Sequence, residues 1–245
     1  MKFATIIFAS LLFVGCGGGG GSGDNAPPAQ PVVSTLGFPL EAAYKAHIAS
    51  GATDQFVVSG SCRMDSITFS TSMPVATTFQ GLPAFSATRT IASYTSDTSC
   101  YYAGVRIYDN VDYFDANYTL LGSSILGLNQ NGVVTTTIPV AASVHVGDTA
   151  SFATMNVYKH TRYGDYGVYG SWVVSYIIEA DTATTAIVNL ITKGYEWDCI
   201  DRVSCPTPLV FTQQKRYRIT AEGALTLISV DIQYSSGIHL LFTKI

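Results

Sequence analysis

The chain lacks an apolar run long enough to cross a membrane as a helix. Its longest N-terminal run, Phe3 to Val14, covers 12 residues. A helix of that length rises about 18 Å, against a hydrocarbon core of about 30 Å. Charge is also scarce. Asp, Glu, Lys and Arg make up 12% of the 245 residues, about half the usual share. The formal net charge is −4 and no basic run occurs, which leaves a nucleic-acid partner without support. There is no G-x-S-x-G elbow, P-loop or H-E-x-x-H helix. The four histidines, His47, His145, His160 and His239, are scattered. No cysteine pair has zinc spacing or forms C-x-x-C. These absences leave no catalytic residue, metal ligand or cofactor to name.

What is present begins at the N-terminus. Lys2 precedes the apolar run, and Gly15-Cys16 follows it, then Gly17-Gly18-Gly19-Gly20-Gly21-Ser22-Gly23. Too short to span, the run reads as a signal-peptide core over residues 1–15. The stretch Phe13-Val14-Gly15-Cys16 resembles the lipobox of bacterial lipoproteins, with Phe13 where that class usually has Leu. The resemblance implies a diacylglyceryl group on Cys16, cleavage just before it by signal peptidase II, and acylation of the new amino terminus. Gly17 rather than Asp after the cysteine implies sorting to the outer membrane, facing the periplasm or the cell surface. Two or more acyl chains hold a protein stably where one does not. Residues 16–35 then form a Gly/Pro-rich linker, ending in Pro27-Pro28-Ala29-Gln30-Pro31. About 16 such residues reach roughly 20–25 Å.

Four cysteines follow Cys16: Cys62, Cys100, Cys199 and Cys205. An even count in an exported chain predicts disulfides. Pairing of nearest neighbours gives Cys62–Cys100 and Cys199–Cys205. Loop-closure entropy assigns about 4 kcal/mol to the first and about 2.4 to the second.

One helix is predicted between Pro39 and Gly51, a starting and a stopping residue. Leu40, Ala43, Tyr44, His47 and Ile48 fall on one face and would pack on a sheet. The remainder reads as strands: Ser66 to Ser70, Phe85 to Ile91, Tyr101 to Tyr108, Trp172 to Ala180 and Ala186 to Thr192. Turns are expected at Asp109-Asn110, Asn131-Gly132, Gly147-Asp148 and Asp181 to Thr184. In the last hairpin, a turn at Glu222 to Leu225 would set Tyr217 opposite Val230 and Arg216 opposite Asp231. The fold expected is all-β: an antiparallel sandwich or a curved half-barrel with one short N-terminal helix. A helix plus first β region over 36–128 and a second over 129–245 form either two parts or one domain.

Two stretches suggest contact surfaces. Tyr158 to Trp172 interleaves aromatics with glycines, and Tyr163, Tyr166, Tyr169 and Trp172 offer rings for sugars, peptides or proteins. Tyr195 to Pro206 carries Trp197 beside the short cysteine pair. Packing of these rings on neighbouring strands accounts for the same pattern. Asp109, Asn110, Asp112, Asp115 and Asn117 gather oxygens in one stretch, which paired turns explain as well as calcium does. The functional expectation is an outer-membrane-anchored lipoprotein with a non-catalytic binding or envelope-assembly domain. Its partners would be the membrane through its lipid and an envelope protein, glycan or lipid. The alternative is a periplasmic lipid or lipoprotein carrier with an apolar cavity of several hundred Å³. A hydrolase is the weakest reading.

Overall fold

The structure, a computed structural model, describes residues 32–94, 109–161, 164–196 and 208–245. The predicted helix is present as α1, Leu40–Ser50, with Pro39 just before it and Gly51 closing it. Ala43 N–H donates to the Pro39 carbonyl at 3.0 Å, so the first turn forms without a side-chain cap. Strands follow in the order β1 (Ala52–Gly60), β2 (Met64–Thr71), β3 (Val75–Phe79), β4 (Leu82–Tyr94), β5 (Asn110–Phe114), β6 (Leu120–Ile125) and β7 (Gln130–Thr137). Then come β8 (Thr149–Thr161), β9 (Gly164–Ala180), β10 (Thr185–Glu196), β11 (Leu209–Thr220), β12 (Leu225–Tyr234) and β13 (His239–Lys244).

All pairings are antiparallel, and the sheet closes on itself. β1 pairs with β13 at one side and with β2 at the other, and β2 pairs with β4 through Phe69↔Ile91 and Thr71↔Arg89. The result is a closed barrel of 12 strands. β3 continues the line of β2 after Pro74, which has no N–H to give to a ladder. Both segments lie along β4, β3 by Val75↔Ser86 to Phe79↔Leu82. Across the break, Ser72 N–H donates to the Thr88 carbonyl, and Thr88 N–H donates to Ser72 Oγ. The sandwich and the open half-barrel are thus replaced by a closed barrel. Closure pairs the two sheet margins that those architectures would leave bare. One sheet also joins the two β regions on either side of residue 128.

Side chains alternate between lumen and solvent along each strand. On β11, Phe211, Gln213, Lys215, Tyr217 and Ile219 share the inner face, and Thr212, Gln214, Arg216, Arg218 and Thr220 the outer one. The lumen is filled by three apolar groups. Phe38, Leu40 and Ala43 pack with Tyr176, Ile178, Ala186, Val188 and Ile219. Phe56, Val58, Met64, Ile67, Val230, Leu240 and Phe242 form the second. Phe152, Ala153, Met155 and Val174 form the third. Consequently α1 lies against the inner wall of β8–β12 at one end of the barrel. Phe38 ties the chain there, exchanging two backbone hydrogen bonds with Val144 at 2.8 and 2.9 Å.

Three local expectations are corrected. Asn131-Gly132 is not a turn: both residues lie inside β7, and the chain reverses before Gln130. Asn110 belongs to β5 and is buried. In the last hairpin Arg216 faces Ser229, Gln214 faces Asp231, and Tyr217 faces Leu227. The β11–β12 ladder slips between Arg216 and Tyr217, a bulge that alternation alone does not reveal. Arg216 instead pairs with Glu179 at 3.5 Å, and Asp231 lies 3.2 Å from His239.

Gly194 sits on the inner face of β10 opposite Phe211, whose ring lies over it where a Cβ would project. An aromatic covering a strand glycine restores the packing the glycine lacks. Gly194→Ala is expected to displace that ring and destabilise the barrel by about 1–3 kcal/mol. A urea titration measures it, and an unchanged midpoint would mean the ring moves freely.

Candidate functional site

The inner wall carries a belt of polar side chains in phase with the core. β1 contributes Asp54, in register with Phe69 of β2. β4 contributes Arg89, in register with Asn110 of β5, and Asp112 of β5 faces Ala87. β11 contributes Lys215 and Tyr217. β13 contributes Lys244, which forms an ion pair with Asp54. From α1, Tyr44 and His47 reach into the same space.

The charges on these groups are felt across the lumen. In the sheet, β11 and the pair β4–β5 lie on opposite sides of the barrel. Even so, Arg89 and Asp112 both act on Lys215 and on Tyr217. Enclosure pushes the Lys215 ammonium down to about 8, the Arg89 charge pushes the same way, and Asp112 opposes both. Burial pushes the Tyr217 phenol up to about 12. Burial also raises the Tyr44 phenol, with Asp112 adding to the effect. His47 is held below the ordinary histidine range, first by burial, against the opposing pull of Asp54 and of the Leu225 backbone. Its ring stands edge-on to Tyr217 at 5.3 Å.

Among the described residues, Arg89, Asp112 and Lys215 have no hydrogen-bond or ion-pair partner within bonding distance. Arg89 rests its guanidinium 5.6 Å from the centre of the Phe69 ring. The Asn110 side chain is 8% exposed, and its Oδ1 has no hydrogen-bond partner. Enclosed charges and amides are ordinarily satisfied, because leaving them bare is costly. Packing alone does not account for such a belt on the inner wall of a barrel.

Beside the belt lies a cavity of about 40 Å³ between α1 and the wall, lined by Leu40, Val188, Leu190 and Leu225 and touched by Tyr44 and Tyr217. It matches the space of about one water molecule. The several hundred Å³ that a bound acyl chain would require are not open there.

The sequence-predicted residues are distributed differently. Cys16, Cys100, Tyr163, Trp197, Cys199 and Cys205 lie outside the described residues. Tyr166 is in β9, in register with Lys159. Tyr169 donates its hydroxyl to Glu196 Oε2 at 2.9 Å, and the Lys159 ammonium lies 4.8 Å from its ring centre. Trp172 packs with the third core group and stands edge-on to Phe211 at 6.1 Å. Cys62 is 4% exposed within the second core group. Of the oxygen cluster, Asp109 accepts from Ile91 N–H at one end of β5. Asp115 accepts from Asn117 and Thr119 N–H at the other. Asp112 lies between them, facing the lumen, so the run is spread along a strand.

The belt itself was missed by sequence reasoning. Its signal was present: Lys215 shares its phase with Tyr217 and Ile219, and Asp112 with Phe114. A charge on the apolar phase of a strand marks either an error in the register or a lumen site.

On the outside, Arg218 grips Asp181 through two bonds of 2.7 and 3.2 Å. Hydrogen bonding from Arg218 holds the Asp181 carboxyl below its ordinary range, against burial and with help from Thr185. The folded value is depressed, so this contribution is present above the ordinary carboxylate range. It drains as pH falls through the folded value. Asp181→Asn is expected to cost up to about 1 kcal/mol at neutral pH. Urea melts should show that gap closing in strong acid, and a gap independent of pH would contradict the assignment.

Comparison of the chain with family models, curated proteins and solved structures finds no match.

Proposed function

We propose that this chain is a non-catalytic binding barrel that takes a ligand into its lumen, held at the outer membrane by a lipid on Cys16. The observation that carries the binding reading is the set of inward-facing side chains Arg89, Asp112 and Lys215, which have no hydrogen-bond or ion-pair partner among the described residues. The belt offers charges and phenols. Among the described residues it offers no nucleophile hydrogen-bonded to a base, the arrangement that covalent catalysis requires. Disulfides Cys62–Cys100 and Cys199–Cys205 are part of the proposal, since export permits both. The carrier reading is less favoured, because α1 occupies the mouth and only about 40 Å³ is open beneath it.

The deciding experiment is native mass spectrometry of the protein taken from its own cell envelope. The expected spectrum shows a small bound mass that is lost on denaturation. A bare protein mass, unchanged by Arg89→Met, would overturn lumen binding. Acyl labelling lost in Cys16→Ser would support the anchor, and labelling that persists would overturn it.

A further inference from the structure

We infer that β3 is a docking edge for a second copy of this chain, the two β3 strands pairing antiparallel about a two-fold axis at Thr77. The pairing is independent of lumen binding. Among the described residues β3 alone has a strand partner on one side only: β2 lies along both β1 and β4, whereas β3 lies along β4 alone. Gln80 and Gly81 join β3 to β4 with φ of 51° and 78°. That two-residue turn makes Phe79 and Leu82 a hydrogen-bonded pair. Bonding to β4 then alternates, through Thr77 and Val75. Pro83, which has no N–H, falls opposite Thr78, at a pair that needs none. The N–H and C=O groups of Ala76 and Thr78 therefore point away from β4, and both residues are exposed.

The Phe79 ring stacks on Tyr113 at 4.5 Å and lies over Gly122, which fixes the hairpin to the wall. Free edges are ordinarily blunted by charge or proline. From Ser72 to Thr88 the chain carries no charged residue, and β3 holds no proline. Two copies therefore meet without like charges facing each other, while a charged strand would find no counter-charge there. In the two-fold pair, Ala76 of each copy exchanges both backbone bonds with Thr78 of the other, and Thr77 faces Thr77. Val75 of each copy then covers Phe79 of the other, on the face that Leu82 shares. In the single chain Val75 is 60% and Leu82 67% exposed. Pro74 ends the ladder on one side and the Gln80-Gly81 turn ends it on the other. With every other strand paired on both sides, association stops at two copies.

The experiment is oxidative crosslinking of the full chain carrying Thr77→Cys or Val75→Cys, with the unsubstituted chain oxidised alongside as the background from its native cysteines. Facing Cα atoms in such a pair lie about 4.5 Å apart, within disulfide reach. The two Val75 positions are four residues out of register, about 13 Å along the strands. Thr77→Cys is expected to give at least tenfold more covalent dimer than Val75→Cys. Added to Thr77→Cys, Thr78→Pro removes an edge N–H that β4 does not use, and Ala76→Lys sets two ammonium groups across the axis. Each is expected to cut the dimer at least fivefold. A melting curve establishes that each variant is folded, and either edge variant suffices if the other does not fold. Equal yields from the two cysteine variants, or a Thr77→Cys yield indifferent to the edge variants, would overturn the inference. So would a crosslinked product in the cell envelope whose mass is not twice that of the chain, which would put a foreign strand on the edge.

Discussion

Lys215→Met is expected to make the barrel more stable at pH 7. Methionine keeps the length of the side chain and discards the enclosed charge. The folded-state pKa of Lys215 is depressed to about 8 from an ordinary 10.5. Between those values the unfolded chain holds a proton that the folded chain has released, so stability rises with pH across that interval. Below pH 8 the full cost of the charge is present. At about 1.4 kcal/mol for each tenfold loss of proton affinity, that cost is on the order of 3 kcal/mol. Residual water contact in the lumen reduces it. Urea titrations at pH 7 and pH 10 test this. The advantage of Lys215→Met should be largest at pH 7 and small at pH 10. A variant less stable at pH 7, or an advantage unchanged by pH, would show that Lys215 is satisfied in the fold. A residue that weakens the molecule in its resting state is one retained for something other than folding.

Phe38→Ala is the second large effect. Phe38 is fully buried, its backbone is bonded twice to Val144, and its ring joins α1 to β9, β10 and β11. Removing a buried phenylalanine ring costs about 3–5 kcal/mol through lost transfer energy and the cavity left behind. The first core group spans both the helix and the wall, so the loss should appear in the global unfolding transition. Hydrogen exchange at Phe38 and Val144 should rise together with that of β10. A loss below about 1 kcal/mol, with exchange raised only in α1, would mean that the helix docks as a separate unit. In that case the mouth of the barrel opens without unfolding the wall.

Local structure was largely legible in the chain. Pro39 and Gly51 bracket α1 because one suits a helix start and the other a helix stop. The strands around Phe69, Ile91 and Val188 declare themselves by alternation. Closure was not legible, since it depends on β2 meeting β4 across the intervening β3, a pairing that no local pattern encodes. The register of the last hairpin failed at its turn, which is tighter than expected: Ile219 faces Leu225 rather than Ile228, and the bulge between Arg216 and Tyr217 takes back one place of that difference. Asn131-Gly132 has the composition of a turn, yet both residues lie within β7, where Asn131 pairs with Tyr158 and Gly132 with Val157. For the aromatics of β9 the sequence offered either a contact surface or packing on neighbouring strands, and Trp172 packs inward against Phe211. The belt escaped notice for the opposite reason. Arg89, Asp112 and Lys215 are ordinary surface residues by type, and only their phase places them inside. That phase is visible only once one face of each strand is known to look into a lumen.

The ladder between β1 and β13 gives the barrel a timing as well as a shape. His239 N–H donates to Ser61 Oγ across 178 positions of sequence. No set of neighbouring hairpins can close the wall without that distant join. Contacts this remote carry a large loop-closure cost before they return any stability, and they slow folding. Until β13 arrives, β1 and β12 each present an unsatisfied margin able to recruit a strand from another molecule. The seam is therefore the point at which an incomplete barrel would pair with a second copy instead of with itself.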